Sequence, residues 1–347
     1  MKRVYLDHNA TTPLRGEARA AMIAAMDVVG NPSSVHAEGR AARALVEKAR
    51  AQVAVAIGAE GAEVVFVSSA TEAAALALRG RDLHSAPIEH DAVSVWGQGD
   101  LTVDQNGIVC VDAAEQSTLQ LANSETGVIQ DLPEALAVSD MTQGFGKVPV
   151  GFLAGGAMIG LVSAHKLGGP KGIGALVMRR GIDLDPVLKG GGQEMGRRAG
   201  TENVIGIAGF GAAAAVAAAD VASGRWEQVQ ENRDFLEQRI ADASKETIFV
   251  GRAAPRLPNT SCFATPGWKG ETQVMQMDLA GFAISAGSAC SSGKVRASRV
   301  LTAMGYDEIT ATSAIRVSLG LETTREDIDR FADAWAKHHR KFAAKAA

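Results

Sequence analysis

Apolar residues recur at helical spacing over 40–57 and give way to a continuous apolar run, Glu63–Val67 (EVVFV), which predicts a buried strand. A helical pattern restarts over Thr71–Leu78. Further along, Ala157–Val162 (AMIGLV) predicts a strand, residues 168–174 a Gly/Pro turn, and Ala175–Met178 a second strand. Strands alternating with helices predict an α/β unit with a mostly parallel sheet covered on both faces. Residues 212–244 read as one or two long helices. Beyond about residue 240 the pattern changes, and short apolar runs at Thr247–Val250 and Ser261–Ala264 are separated by Gly and Pro. That change predicts a second, smaller α+β unit. Its closing helix begins near Arg325, where Thr323 and Thr324 offer an N-cap and Glu326 and Asp327 complement the helix dipole.

The length of 347 residues exceeds the usual single domain. A net charge of −4 gives no electrostatic footprint for nucleic acid or an anionic membrane. The start, MKRVYLDHNATTP, lacks the apolar stretch of a signal peptide, and the Ala-rich 209–219 is too short to span a bilayer. Three cysteines, Cys110, Cys262 and Cys290, make a poor disulfide framework and lack metal-ligand spacing. A reducing cytoplasm is the expected setting.

Several segments carry chemistry. Lys166 lies between the apolar strand and the Gly/Pro turn, where strand ends meet a cleft and a desolvated lysine can form a Schiff base; alone it reads more readily as a surface loop lysine. Asp140 and Gln143 place an acid and an amide three residues apart at a strand-to-turn transition, as a pyridinium nitrogen and a ring oxygen require. Ser68 to Glu72 follow a strand and open a helix, which suits either a phosphate site or an ordinary N-cap. His90 can stack on a ring and exchange protons near neutral pH. The cluster Gly190 to Glu194, followed by Arg197 to Glu202, suits close approach of an anionic ligand. Cys290 sits among small residues, where a thiol can be reactive, whereas Cys262 and Cys110 sit in apolar runs and read as structural.

Taken together these segments resemble the cysteine desulfurases of the NifS/IscS type, in the class V aminotransferase group of fold type I pyridoxal-phosphate (PLP) enzymes. Matching segments run from Tyr5–Pro13 through Gly30–Ser34 to Ala314–Gly320, so the resemblance covers nearly the whole chain. It implies a large PLP-binding domain over 15–240 and a small domain from 1–14 and 241–347 that carries the cysteine loop. It implies Lys166 as the lysine that carries the cofactor, with Ser163, His165, Thr71 and the Ala70 backbone at the phosphate. His90 would stack on the ring, Asp140 would pair with its nitrogen and Gln143 would reach its phenolic oxygen. Thr201 would reach the phosphate of the other protomer of a homodimer. Arg316 would grip the substrate carboxylate, and Cys290 would take sulfur from L-cysteine as a persulfide, leaving L-alanine. The loop after Cys290 is similar to the longer form of the NifS/IscS branch. The sulfur would pass to an acceptor protein, such as an iron–sulfur scaffold. The other functions weighed are a selenocysteine lyase and a non-catalytic scaffold of a sulfur-transfer complex.

The chain departs from the family pattern at three points. Ser124 stands where the family has an asparagine near the ring oxygen or substrate carboxylate, with Asn123 as the possible substitute. Ser69 replaces a glycine of the phosphate turn. The segments 79–90 and 130–140 are short, the second with little room for a helix, so another surface is expected to cover the apolar faces left bare.

Overall fold

The computed structural model describes residues 3–287 and 297–346, so Cys290 lies outside the described residues. A six-stranded sheet forms from Glu63–Val67, Gly174–Met178, Ile159–Ser163, Val138–Asp140, Ser117–Thr118 and His84–Ser85, in that spatial order. The last four pair in parallel, while Gly174–Met178 runs antiparallel to both its neighbours. Five strands therefore share one direction, and their C-terminal ends line one edge.

The helices Ala37–Ala56 and Val204–Ala222 cover one face, where Val46, Ala49, Val53, Phe210 and Ala214 join Phe66, Val162 and Val177 in one core. Ala70–Leu78 covers the other, burying Ala73, Ala74 and Ala77 with Val65, Leu161 and Leu176. The helix pair of the sequence pattern is real, but it begins at Val204 and breaks between Ala222 and Arg225, with the second helix running Arg225–Ala243. Glycines in the first turns weaken the periodic signal, yet the packing demands them. A Cβ on Gly211 would lie 2.6 Å from Ala49 Cα, so only glycine lets the two helices approach so closely. Val204–Ala222 is long and apolar enough to cross a membrane, but its buried face belongs to the core just described.

Parallel pairs normally need a crossover helix. Here Ser117–Thr118 reaches Val138–Asp140 with no helix between them. Leu119 and Leu136, which such a helix would shield, are buried with Val250, Cys262 and Ala264 and with Val300, Leu301 and Met304. The covering surface therefore comes from the chain's own C-terminal part.

That part builds a second, antiparallel sheet in the order Ser285–Ala286, Ala314–Ser318, Thr260–Ala264, Ile248–Phe249. The N-terminal strand Val4–Tyr5 pairs in parallel with Phe282–Ala283, so the first residues sit beside the last third of the chain. The closing helix, Arg325–Ala346, begins at the expected cap: Thr324 Oγ1 accepts the Asp327 amide at 3.1 Å, and the Asp327 carboxylate accepts the Thr324 hydroxyl at 2.9 Å. It buries Phe331 and Trp335 against Phe263 and Trp268. Of the two cysteines read as structural, Cys262 is buried. Cys110 is exposed: it follows a bridge between Val103 and Val109, where neighbouring residues alternate between core and solvent.

Candidate active site

The chemistry-bearing residues gather along the C-terminal edge of the large sheet. Asp140 and Ser163 are the last residues of adjacent parallel strands, and Ser68 follows the end of Glu63–Val67. The register puts Val67 and Ser163 both opposite Gly174, so the turn before the Ala70–Leu78 helix lies level with Ser163. Ser69 caps that helix by accepting the Glu72 amide at 3.2 Å, and Glu72 in return accepts Ser68 N–H at 2.7 Å. The hydroxyl thus serves the cap that a glycine could not. Thr71 is exposed. His90 is exposed too, and its Nδ1 accepts the Ala92 amide at 3.1 Å, which places its proton on Nε2 in the neutral ring.

The N-terminal segment crosses this edge. Lys166, in a single 3-10 turn after Ser163, donates from Nζ to Asn9 O at 2.6 Å and Ala10 O at 3.0 Å. Gln143 Nε2 donates to the same Asn9 carbonyl at 2.9 Å, and its Oε1 accepts from the buried Lys147 amine at 2.8 Å. The buried Asn9 side chain bonds Thr260 and the Ser124 carbonyl, tying both sheets to the lysine. His165 Nδ1 lies 3.1 Å from the Thr11 hydroxyl. Burial, reinforced by Lys166, Lys171 and Lys147, lowers the His165 pKa to about 4. Burial, with Lys147 beside it, likewise lowers His8 to about 4. Both rings are neutral at pH 7.

Arg316 lies on one of the two inner strands of the small sheet. Its guanidinium donates to Asp7 Oδ1 at 2.7 Å and to the Ser124 carbonyl at 2.9 Å, while its buried Nε has no partner among the described residues. Ser124 thus contributes a carbonyl to this corner. Asn123 does not substitute for the family asparagine, because its side-chain oxygen accepts the Glu125 and Thr126 amides at 2.9 Å and its NH2 donates to Ile88 O at 3.0 Å. Glu125 is buried beside Arg316. Burial outweighs the Ser298 hydrogen bond and the arginine, and raises its pKa to about 7.

Thr201 and Lys166 line different cavities. Thr201 lines a cavity of about 220 Å3 with Ser68, Arg198 and Asn203. The preceding glycine-rich cluster is anchored rather than loose: Arg50 grips both oxygens of buried Glu194, at 2.7 and 2.9 Å, and the Phe66 amide adds a third bond at 2.8 Å. Glu194 and Met195 both hold left-handed backbone, at φ 47° and 58°, a strain that this clamp offsets. A larger cavity, about 520 Å3, is lined by Lys166, His8, Thr12, Arg15, Arg225 and Trp226, and by none of Thr71, His90, Asp140 or Gln143. Arg15 and Arg225 are already paired there with Asp220, so this cavity is not the cradle that those four residues would form.

Asn9, Lys147, Glu89 and Glu125 carry no role in the sequence reading. Glu89 is buried next to His90, and burial, with Asp140 nearby, raises its pKa well above the ordinary range. A polar residue inside an otherwise family-like segment is the one signal that could have marked them.

A family model described as Aminotransferase class-V matches residues 4–95 and 91–331. A cysteine desulfurase of Cereibacter sphaeroides is 38% identical, over 95% of this chain and 94% of its own length. The cysteine desulfurase IscS of Dictyoglomus turgidum is 36% identical, over 95% and 93%. Among solved structures, a NifS-like protein of Rickettsia africae superposes with a TM-score of 0.88 at 31% identity, covering 97% of this chain and 99% of that one. The chain belongs to the class-V aminotransferase family and groups there with the cysteine desulfurases of the NifS/IscS type.

Proposed function

We propose that the chain, a cysteine desulfurase by family, binds PLP on Lys166 at the C-terminal edge of its large sheet and passes the sulfur of L-cysteine to Cys290. The observation that carries the assignment is the convergence of Asp140, Ser163 and the Ser68–Thr71 turn on one sheet edge, with His165 and Lys166 in the turn that follows Ser163. This donor set fits the cofactor. Ala70 and Thr71 open a helix whose first amides lack intrahelical acceptors, a ready anion site flanked by hydroxyls. Asp140 keeps a carboxylate at the neighbouring strand end, with Oδ1 oriented by the Thr142 amide at 2.9 Å, and exposed His90 offers a flat face.

Bound there, PLP supplies an electron sink for charge developing at the substrate α-carbon. Lys166 Nζ would hold and return the proton taken from that carbon. The Arg316 fork, now on the Asp7 carboxylate, would take the substrate carboxylate, an acceptor of the same kind. Ser124 would contribute through its carbonyl, which orients that fork. His90, protonated on Nε2, would act as a proton donor near the sulfur. Cys290 as thiolate would attack the substrate sulfur: an S–S bond forms, the C–S bond breaks with its electrons passing to the three-carbon fragment, and protonation yields alanine.

The domain assignment, 15–240 against 1–14 with 241–347, belongs to the same proposal. So does a homodimer in which Thr201 reaches the partner's phosphate site; the exposed Ile23, Met26, Val29 and Val35 supply an apolar face for a second copy. A sulfur-acceptor protein would receive the persulfide in a reducing cytoplasm. The test is to purify the protein, record its visible cofactor band, and assay alanine and sulfide from L-cysteine. Lys166→Ala should lose the band's lysine-linked form, and Cys290→Ala should lose desulfuration while keeping the band. Alanine formation unchanged in Cys290→Ala would refute the sulfur-transfer step, and a colourless, inactive parent would refute the cofactor site.

A further inference from the structure

His90 caps a helix of only four residues, Asp91–Ser94, which is too short to fix its own geometry. Val93 is buried in the core of the large sheet and anchors one side of this turn. Arg299 grips the other side. It opens the helix Arg299–Ala303 shortly after Cys290 in the chain, and the next two residues, Val300 and Leu301, are buried with Leu119 and Leu136. Arg299 Nη2 donates to Glu89 O at 2.6 Å and to Asp91 Oδ1 at 2.9 Å, and Nη1 donates to Ser94 Oγ at 2.9 Å. One nitrogen thus bonds both neighbours of His90.

Stability does not account for this grip. The Arg299 and Asp91 side chains are 50% and 62% exposed, and an ion pair so placed contributes little. Holding a long arginine chain across three acceptors also costs rotamer freedom. What the grip achieves is geometric, because a planar fork fixes direction as well as distance. Glu89 is pinned at its side chain too, where Oε1 accepts the Gln120 amide at 2.7 Å. The His90 ring is tied to its own turn through Nδ1 and the Ala92 amide. Where the turn goes, the ring follows, and Arg299 holds the turn.

We propose that Arg299 is a positioning residue for the reaction, which sets the direction of the His90 ring by holding the residues on both sides of it. This rests on the assignment of His90 to the cofactor ring and to the proton near the sulfur. Without the grip the short helix pivots about buried Val93, and Nε2 loses its fixed direction. Because Arg299 follows Cys290 so closely, one side chain links the chain after the nucleophile to the residue that would give the proton.

The experiment compares the PLP-loaded parent with Arg299→Gln, Arg299→Lys, His90→Ala and the double variant Arg299→Gln/His90→Ala. Each is followed by its visible spectrum, by alanine formation from L-cysteine and by its melting temperature. Arg299→Gln should melt within a few degrees of the parent and keep its KM. Its visible maximum should shift in the same direction as that of His90→Ala, and its kcat should fall about tenfold, as a misplaced group predicts. Arg299→Lys, which keeps the charge without the planar fork, should recover only part of that loss. On the His90→Ala background the Arg299→Gln change should cost nothing more, since no ring is left to position. An unchanged kcat and spectrum in folded Arg299→Gln overturns the proposal. So does an equal loss on the His90→Ala background, which would mean that Arg299 acts by another route. If Arg299→Gln does not fold, Asp91→Ala combined with Ser94→Ala loosens the same grip from the other side and gives the same reading. Full activity in His90→Ala would instead sink the His90 assignment, and the proposal with it.

Discussion

Replacing Glu125 by glutamine should abolish a pH-dependent weakness of the fold. Glu125 is 7% exposed, and one of its oxygens has no hydrogen-bond partner among the described residues. A Cβ on Gly287 would collide with that oxygen, and on its other side the carboxylate accepts from Ser298. The two residues flank the segment that carries Cys290, so ionising this carboxyl loads charge between its stems. Burial raises the Glu125 pKa from 4.5 to about 7. At about 1.4 kcal/mol per unit the difference amounts to about 3 kcal/mol. Because the folded pKa lies above the unfolded one, the folded state binds more protons between the two values. Its advantage is complete below pH 4.5 and is lost as the pH rises through 7. Urea midpoints at pH 5 and pH 8 measure this directly. The parent should lose stability across that window. Glu125→Gln, which keeps an acceptor for Ser298 and carries no charge, should lose about 3 kcal/mol less. Parallel pH profiles for the two proteins would show that the carboxyl is not held neutral by its surroundings.

The clamp on the glycine-rich cluster makes a second prediction. Glu194→Ala removes two bonds from the half-buried Arg50 guanidinium, which keeps Glu47 and the Val64 carbonyl, and leaves the buried Phe66 amide without its acceptor. It should cost about 1–3 kcal/mol by thermal or chemical melting. Arg316→Lys replaces a planar fork by a point charge and should raise the KM for L-cysteine at least about tenfold, a loss of roughly 1.4 kcal/mol, with the visible band intact. An unchanged KM would remove Arg316 from substrate binding.

What the sequence disclosed about this site, and what it concealed, follows from the range of the interactions. Lys166, Asp140, Ser163 and Thr71 were legible because each lies within a few residues of a strand end, and strand ends are visible as apolar runs that stop. The parallel order of those strands then carries the residues to one edge without further instruction. Asn9 was not legible. Its partners Gln143, Thr260 and Asn259 lie 134, 251 and 250 residues away, and no local pattern encodes such a meeting. Glu125, Glu89 and Lys147 were concealed for a different reason: polar residues in turns are expected to face water, and only tertiary packing reveals that these do not. The start of the Val204–Ala222 helix was hidden because glycines that weaken a helix locally are the ones its packing against Ala49 requires. The missing crossover helix before Val138–Asp140 belongs to the same logic. Its absence would expose Leu119 and Leu136, yet the sheet that holds Arg316 covers them with Cys262 and Ala264. The shortening therefore makes the wall behind Arg316 part of the large sheet's own core. Substitutions that loosen Leu119 or Leu136 should consequently disturb Arg316 through Cys262, which pairs with it across the small sheet.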